Sequence, residues 1–377
     1  MTPSIRLGRL FGIEIGANWS LIFIFAIVTW SLASVTLPQF APGQGEAAYW
    51  LLGIAGAILF YVSLLAHELS HALVARRSGV KVAGITLWLF GGVSRLEGEP
   101  ANARSEAFIA GVGPLTSLAI ALVVFVAASV TQANPLFSAL FSYLAFVNLA
   151  LALFNLVPAF PLDGGRLLSS ILWKTSGSRQ RGVHNAVRVG RVFAYLMIAA
   201  GVFELFAGDA FSGIWIVFLG WFLLSAAASE EAGSTIRSAL RSVPVSAAMT
   251  SPVVTLPDWV TVDTFLDSVA PAHSFTTYPV HEASGRLTGV VRLSDLVRMP
   301  AGERPQKHLR DVARPISDVP TTTPREDLSA LIQRIGGALE QRVLVFDGGQ
   351  LVGIVSPADV ARVLTLRQAV GHGPRAA

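Results

Sequence analysis

A His-Glu-x-x-His motif lies inside a long apolar segment, and this placement restricts the fold more than any other feature of the chain. The motif is His67-Glu68-Leu69-Ser70-His71, with alanine, leucine and valine on both sides. On a helix, this spacing brings the two imidazoles onto one face with a carboxylate beside them, as in a zinc site with its own general base. Such a cluster at membrane depth is costly and indicates a function. The alternative is a helix with two solvated histidines, which requires a polar helix, and this segment is apolar on all sides.

The composition predicts a membrane domain followed by a water-soluble one. Hydrophobic residues make up 53% of the chain and charged residues only 14%, which is too apolar for a soluble protein of 377 residues. Residues 1–228 contain 13 basic and 9 acidic residues, whereas residues 230–377 contain 15 of each. The net charge of +4 therefore comes from the membrane half, where it indicates orientation and not nucleic-acid binding. Because the chain has no cysteine, histidine and carboxylate side chains must hold any metal.

Six apolar stretches are long enough to cross a bilayer. The predicted spans cover residues 18–37, 49–75, 107–130, 136–158, 190–208 and 210–228. Lysine and arginine are absent from the loops at 38–48 and 131–135 and from the turn near 209, but they are frequent in the other connections. The positive-inside rule then predicts that both termini lie in the cytosol, with the motif near the cytosolic end of the second span. Cleavage of the first span as a signal peptide near Ala33 is the alternative for the N-terminus.

Two short segments near the motif predict β-structure. Residues 5–15 and 82–96 alternate in the manner of β-strands, and Gly91-Gly92 predicts a turn in the second segment. Because this segment follows the motif helix directly, it could fold back as a hairpin beside the metal.

The soluble half contains an internal repeat. Residues 278–296 resemble residues 342–360. Leu287, Gly289, Val291 and Asp295 return 64 positions later as Leu351, Gly353, Val355 and Asp359. The pattern predicts a unit of strand, turn, strand and helix that is used twice. The predicted organisation is a membrane domain at 1–228, a linker at 229–243, modules at 244–300 and 301–366, and a flexible tail at 367–377.

Asp163 is predicted as the third metal ligand, since a catalytic zinc needs three protein ligands and one open position. It follows the segment 155–162, which contains two prolines, and it precedes two glycines. Such residues break a helix and let the backbone bend towards a neighbour. The fourth span runs inward, so Asp163 lies at the cytosolic depth of the histidines. Glu204 and Asp209 lie at the outer edge, where a solvated role fits better. A simple turn that ends a helix is the alternative for Asp163.

These motifs resemble those of the site-2 protease family of intramembrane zinc metalloproteases. The motifs are His67-Glu68-x-x-His71, Asn155-x-x-Pro158-x-x-Pro161-x-Asp163-Gly164 and, with less specificity, Gly111-x-Gly113-Pro114, and the resemblance covers residues 1–228. It implies one zinc ion bound by His67, His71 and Asp163. Glu68 is then the general base, and Asn155 contacts the substrate backbone or the developing oxyanion, with helix packing as the alternative. No PDZ-type insertion separates the spans.

The repeated half resembles a pair of cystathionine-β-synthase-type (CBS) modules. In such modules a Ser or Thr and an Asp at the strand-to-helix junction contact the ribose of an adenine nucleotide. Ser356 and Asp359 match this pattern in the second copy. In the first copy Asp295 matches, but Arg292 stands where the hydroxyl residue is expected, which puts that site in doubt. The alternative is a purely structural pair, or one that forms a homodimer.

The expected fold is a multi-pass α-helical membrane protein with six transmembrane helices and short β-strands near the active site, followed by a cytosolic α/β pair of CBS modules. The expected activity is that of a zinc endopeptidase in the cell membrane. Its substrate would be a membrane protein with a transmembrane segment, such as an anti-sigma factor, and the modules would tune cleavage within the lipid bilayer. The alternatives are a CBS-regulated transporter or channel, and an inactive zinc-binding scaffold. A transporter should show polar groups along a path across the membrane, whereas these cluster at one depth.

Overall fold

The structure is a computed structural model, and it describes residues 4–88, 91–208, 210–273, 275–335 and 342–371. The chain divides into two compact units, Met1–Thr235 and Ile236–Ala377.

Six helices in the described part of the chain are long and apolar enough to cross a membrane, which confirms the predicted number of spans. They are Ser20–Phe40, Glu46–Arg77, Ala103–Val130, Pro135–Asn155, Arg179–Ala207 and Ala210–Leu240. The first span consists of α1 (Ser20–Ser31), a π-helical turn (Leu32–Thr36) and α2 (Leu37–Phe40). The other five are α3, α4, α5, α7 and α8, in chain order. Large apolar side chains such as Phe125, Leu122 and Phe203 are exposed on these helices, as lipid-facing positions require.

The segment between the fourth and fifth spans contains an additional helix, α6 (Asp163–Ser176), which the hydropathy pattern does not predict. Polar and apolar residues alternate along it at helical spacing, so it is amphipathic and too polar to be recognised as a span. Its small residues, including Gly164, Gly165, Ser169 and Ser170, are buried. α6 packs against α4 and α7. These contacts fix the start of α6, where Asp163 lies.

The last span, α8, continues to Leu240 and therefore includes most of the segment 229–243 that the composition predicts as a linker. Charged and small residues end the apolar stretch here, but alanine, glutamate and arginine favour a helix. The boundary between the two units falls between Thr235 and Ile236, inside this helix. Glu231 in the same stretch accepts hydrogen bonds from His184 and Arg191 of α7.

A four-stranded sheet lies beside α3 and confirms the predicted β-structure near the motif. Its strands are β1 (Ile5–Leu10), β2 (Ile13–Ala17), β3 (Lys81–Trp88) and β4 (Gly91–Glu97), in that order across the sheet. β2 and β3 are parallel, and the two outer pairs are antiparallel. Ile13, Ile85 and Leu87 are buried against Leu64 and Ala72 of α3. Each such side chain contributes about 1.5–3 kcal/mol on burial, so this core holds the sheet beside the motif helix. Gly91 and Gly92, which the sequence predicts to form a turn, instead belong to β4 and pair with Trp88 and Leu87 of β3. Residues 89–90, between the two strands, lie outside the described residues.

An arginine connects the first turns of the third and fifth spans. Arg179, at the start of α7, donates to Glu99 over 2.7 Å and to Glu106 over 3.3 Å. Glu106 lies in the first turn of α4, and only 7% of its surface is exposed. The pairing connects the α6–α7 hairpin to the helix that packs behind the histidines.

The second unit contains the predicted repeat. Its helices are α9 (Val245–Ala248), α10 (Val262–Thr264), α11 (Leu293–Val297), α12 (Leu309–Val312), α13 (Leu328–Arg334) and α14 (Pro357–Gly371). Its strands are β5 (Leu256–Pro257), β6 (Thr277–His281), β7 (Leu287–Arg292), β8 (Arg314–Pro315), β9 (Thr321–Thr322), β10 (Val343–Asp347) and β11 (Gln350–Val355). The repeated segments form β6-β7-α11 and β10-β11-α14. Each belongs to its own sheet, β5-β6-β7-β8 or β11-β10-β9. Separate apolar cores form around Tyr278 in the first copy and around Val343 and Val345 in the second. α14 reaches Gly371, so residues 367–371 are helical.

Candidate active site

The two motif histidines project from one face of α3 into the interior of the membrane domain. His67 and His71 are one turn apart on this 32-residue helix and are 2% and 8% exposed. Their Nε2 atoms are 3.2 Å apart. This confirms that the motif is helical, and it excludes the alternative of two solvated histidines.

Asp163 completes the cluster, although it lies 92 residues after His71. Its Oδ2 atom is 3.3 Å from His67 Nε2 and 3.1 Å from His71 Nε2. It occupies the first turn of α6, where the helix dipole stabilises a carboxylate. The three side chains form the one His/Asp/Glu group suited to a metal ion within the described residues, with ligand atoms within 4.8 Å of one another.

The residues of this cluster fit a zinc ion. Ligands about 2.0–2.1 Å from a tetrahedral zinc ion lie about 3.3–3.4 Å from each other. The three observed separations, 3.1, 3.2 and 3.3 Å, are close to this value. Two imidazoles and one carboxylate are also the ligand types of catalytic zinc sites that keep an open position.

Helix α4 orients both imidazoles from behind. The carbonyl oxygen of Ile109 lies 2.5 Å from His71 Nδ1. Because a carbonyl can only accept, Nδ1 carries the hydrogen and the lone pair of Nε2 is directed to the cluster. His67 Nδ1 lies 2.8 Å from the hydroxyl of Ser117, which is fully buried. These partners fix the ring orientations that a metal ligand requires.

Gly113 lets α4 approach the histidines closely. A Cβ atom at this position would lie 2.5 Å from His71 Cε1 and 2.7 Å from His67 Nε2, and still closer to His71 Nε2. The same atom at Gly111 would meet nothing within 4 Å. The structure thus assigns a steric reason to one glycine of the Gly-x-Gly-Pro motif and not to the other.

Glu68 lies next to the ligands on α3 and is held by strand β4. The Ser94 hydroxyl donates to Glu68 Oε2 over 3.0 Å. A Cβ atom at Gly92 would lie 2.7 Å from Glu68 Cδ and closer still to Cγ, so the backbone of β4 packs directly on this side chain. The predicted hairpin therefore contacts the predicted general base. Ser94 and Ser117 carry no motif signal, because only the tertiary fold brings them to the site.

The segment between α5 and α6 delivers Asp163 to the histidines. It contains a cis peptide bond between Phe160 and Pro161. Gly164 and Gly165 pack against the backbone of this segment, and a Cβ atom at Gly165 would lie 2.6 Å from the Ala159 carbonyl carbon. Two consecutive glycines are needed because the chain folds tightly back on itself here.

Asn155, the last residue of α5, is not part of the metal cluster. Its Nδ2 donates to the Leu151 carbonyl of its own helix over 3.0 Å. This contact satisfies one donor of the side chain, and the predicted substrate role of Asn155 stays a prediction.

Two of the three predicted nucleotide residues come together in the second unit. Ser356 Oγ donates to Asp359 Oδ2 over 2.6 Å, and Thr250 Oγ1 donates to Asp359 Oδ1 over 2.9 Å. They border a cavity of about 200 Å³, which we call the hydroxyl cavity. Its lining also includes Pro252, Val253, Val254, Phe275, Thr276, Thr277, Arg342, Ile354 and Ala358. Asp295 is exposed, accepts from Ser294 Oγ over 3.2 Å and is not among the lining residues. Thr250 lies 109 residues before Asp359, beyond the reach of a local motif.

Comparison with known families gives two matches. The model of peptidase family M50 matches residues 55–140 and 129–197. The CBS domain model matches residues 309–366. The first match includes all three cluster residues and Glu68, and the second includes Ser356 and Asp359.

Individual proteins are similar over nearly the whole chain. Rip3 of Mycobacterium tuberculosis, named as a candidate zinc metalloprotease, is 42% identical over 97% of this chain and 93% of its own length. Zinc metalloprotease MJ0392 of Methanocaldococcus jannaschii is 28% identical, with 97% of each chain covered. The solved structure of the site-2 protease from Methanocaldococcus jannaschii covers 60% of this chain and 94% of its own, with 29% identity and a TM-score of 0.40.

Proposed function

The chain belongs to peptidase family M50, and we propose that it is an intramembrane zinc endopeptidase that cleaves a transmembrane segment of a membrane-protein substrate. One observation carries the proposal. The ligand atoms of His67, His71 and Asp163 converge within 4.8 Å, and a carboxylate on the same helix is held beside them. A hydrolase needs both parts, whereas metal storage or structural support needs only the ligands.

His67, His71 and Asp163 would hold the zinc ion, as their donor types and spacing fit. Zinc bound there supplies Lewis acidity, which polarises the carbonyl of a peptide bond and acidifies water. The role of Glu68 is to accept a proton from the attacking water and to pass it to the leaving amine nitrogen. Ser94 supports this role by fixing Oε2 of the carboxylate. Proton transfer by a positioned side chain typically contributes about 10²–10⁴-fold to the rate.

Strand β4 is suited to hold the substrate. It is the last strand of the sheet β1-β2-β3-β4, so one of its edges has no partner strand within the described residues. A peptide bond inside a helix is shielded by its own hydrogen bonds, and a substrate segment must unwind before cleavage. An unwound segment could pair with this edge, which would bring it beside Glu68. Good substrates should therefore carry residues that weaken a helix near the cleaved bond.

The other functions suggested by the sequence fit these observations less well. The cluster suited to a metal ion lies at one depth, near the end of α3 and the start of α6, which gives a transporter no path across the membrane. An inactive zinc scaffold would have no use for a carboxylate fixed by Ser94 beside the ligands. The expected orientation, with both termini in the cytosol, is supported by the basic loops alone.

We further propose that the CBS modules tune cleavage by binding an adenine nucleotide in the hydroxyl cavity. Ser356 and Asp359 line this cavity, as the resemblance to nucleotide-binding modules requires. A ligand can shift an equilibrium only if it binds two states with different affinity. If the nucleotide binds a more active and a less active state with different affinity, the cleavage rate must change with nucleotide concentration. A homodimer through these modules is the accompanying proposal for the oligomeric state.

Cleavage of a defined substrate tests the proposed activity. The purified full chain in lipid vesicles is incubated with single-span proteins, including an anti-sigma factor, and the products are mapped by mass spectrometry. We expect a cut inside the transmembrane segment that disappears in Glu68→Gln. A cut only in soluble loops, or one that persists in the variant, would contradict the proposal. The same Glu68→Gln variant can retain natural substrates for identification.

A further inference from the structure

The two CBS modules place equivalent residues at the edges of equivalent strands. Thr250 pairs with Ile354 in an antiparallel bridge, and Arg314 pairs with Val290 in the same manner. Between the two bridges, Thr250 and Arg314 lie 64 positions apart, and so do Val290 and Ile354, the same spacing as in the sequence repeat. Thr250 and Arg314 therefore occupy equivalent positions in the structure as well as in the sequence repeat.

The two hydroxyl residues that donate to Asp359 are replaced by arginine at the equivalent positions of the repeat. Thr250 and Ser356 each donate to Asp359. Arg314 stands for Thr250, and Arg292 stands for Ser356, again 64 positions away. Two small hydrogen-bonding groups have thus become two long cations. Guanidinium groups suit anions better than sugar hydroxyls, so the double replacement favours an anion at the equivalent site.

The replaced residues border a cavity of their own, which we call the arginine cavity. It measures about 20 Å³ and is lined by Arg292, Arg314, Arg342 and Asp318, with apolar residues between them. Three guanidinium groups face one carboxylate, so the lining carries a net positive charge. Within the described residues, neither Arg292 nor Arg314 has a carboxylate within 4.0 Å. Asp318 itself accepts a hydrogen bond from Ser317 over 3.0 Å.

The arginines of this cavity repel each other. Burial lowers the pKa of Arg342 below its usual value, and the positive charge of Arg292 lowers it further, while Asp359 acts in the opposite direction. Arg342 donates to Thr276, a neutral partner. Three cations around one carboxylate are an arrangement that a bound anion would stabilise.

The arginine cavity adjoins the hydroxyl cavity. Arg342 and Thr277 line both of them. A ligand held by Ser356 and Asp359 at one end can therefore reach Arg342 and, beyond it, Arg292 and Arg314. Bidentate binding of phosphate is the interaction for which the guanidinium group is best suited.

We propose that the arginines of this cavity bind the terminal phosphate groups of a nucleotide whose nucleoside part occupies the hydroxyl cavity. The ligand of the CBS modules is then a nucleoside di- or triphosphate. This inference rests on the proposed nucleotide site. It adds that the site of the first copy, where Arg292 replaces the hydroxyl residue, is a phosphate subsite and not a degenerate second nucleotide site. Adenosine monophosphate lacks the terminal phosphate groups that this subsite would hold.

Calorimetry on the purified full chain tests the subsite. ATP, ADP, AMP and inorganic tripolyphosphate are titrated at one ionic strength into the wild type, Arg292→Ser, Arg314→Thr and the control Arg310→Ser. Arg292→Ser and Arg314→Thr install the counterpart residues of the other module. Arg310 is an exposed arginine of the same unit that lies outside both cavities and close to Asp311, so its variant controls for the loss of one charge. Thermal unfolding checks that each variant is folded.

We expect ATP and ADP to bind at least about tenfold more tightly than AMP, because charge-assisted hydrogen bonds to phosphate are strong. Arg292→Ser and Arg314→Thr should each remove about tenfold from ATP affinity and leave AMP and the Arg310→Ser control almost unchanged. If all three nucleotides bind equally and the variants change nothing, the phosphate subsite is wrong while the nucleotide site stands. If tripolyphosphate binds and no nucleotide does, the arginines hold a free anion and the proposed nucleotide site fails. If none of the nucleotides and no tripolyphosphate binds with a Kd below about 1 mM, the nucleotide site and the phosphate subsite are both wrong.

Discussion

Gly113 offers a sharp test of the geometry behind the histidines. Gly113→Ala would place a methyl group 2.5 Å from His71 Cε1 and 2.7 Å from His67 Nε2. Non-bonded heavy atoms prefer about 3.5–4.0 Å, so the contact with His71 Cε1 alone is too short by about 1 Å, and the contact with His71 Nε2 is too short by more. Either the imidazole or helix α4 must therefore move by more than about 1 Å.

Such a shift would remove a metal ligand, because metal–ligand distances in working sites vary by only about 0.2 Å. His71 cannot follow freely, since the Ile109 carbonyl already fixes its Nδ1. Loss of one outer partner typically costs 10–100-fold in metal affinity, and displacement of a ligand should cost at least about 100-fold. Overpacking should also destabilise the fold by about 1–3 kcal/mol.

Gly111→Ala is the matched control. It makes the same change two residues earlier in the same helix, where the new methyl group meets nothing within 4 Å. Alanine favours a helix over glycine by about 0.5–1 kcal/mol, so this variant should be as stable as the wild type or more so. For both variants we would measure zinc affinity by chelator competition, the cleavage rate and thermal unfolding. If Gly113→Ala binds zinc and cleaves as well as Gly111→Ala, the inferred packing of α4 against the histidines is wrong.

Three further predictions concern single side chains. Ser117→Ala should weaken zinc binding by about 10–100-fold and leave the fold intact, because it removes the hydrogen-bond partner of His67 Nδ1. If chelator competition shows unchanged zinc affinity, this contact does not orient His67. Ser94→Ala should leave the zinc content unchanged and lower kcat by about tenfold, because one hydrogen bond to Glu68 contributes about 0.5–3 kcal/mol. A loss of zinc would instead mean that strand β4 supports the metal ligands and not Glu68. A cysteine introduced at the exposed Ser317 should resist an impermeant thiol reagent in intact cells and react after lysis; labelling in intact cells would overturn the cytosolic position of the second unit.

The chemically specific part of the site could be predicted from the sequence. His67, Glu68 and His71 are adjacent in the chain, and Asp163 lies at a helix break that two prolines and two glycines mark. The six spans follow from hydropathy because a bilayer imposes length and polarity on each helix. These features depend on local composition.

The supporting residues could not be predicted, because they reach the site only through tertiary contacts. Ser117 and Ser94 approach the motif from α4 and β4, and single serines carry no spacing signal. Hydropathy does not reveal helix α6, because its amphipathic pattern does not reach the hydropathy of a span. Composition does not reveal the continuation of α8 to Leu240, because a change in composition ends an apolar stretch without ending a helix.

Zinc content and cleavage rate, measured together on Glu68→Gln and His71→Ala, test the central claim most directly. Glutamine matches the shape of glutamate and can still accept the hydrogen bond from Ser94, but it cannot take a proton. We expect Glu68→Gln to hold one zinc ion per chain and to cleave at least about 10²-fold more slowly than the wild type. His71→Ala should lose both zinc and cleavage. Full cleavage by Glu68→Gln, or full zinc content in His71→Ala, would contradict a metalloprotease site built from these residues.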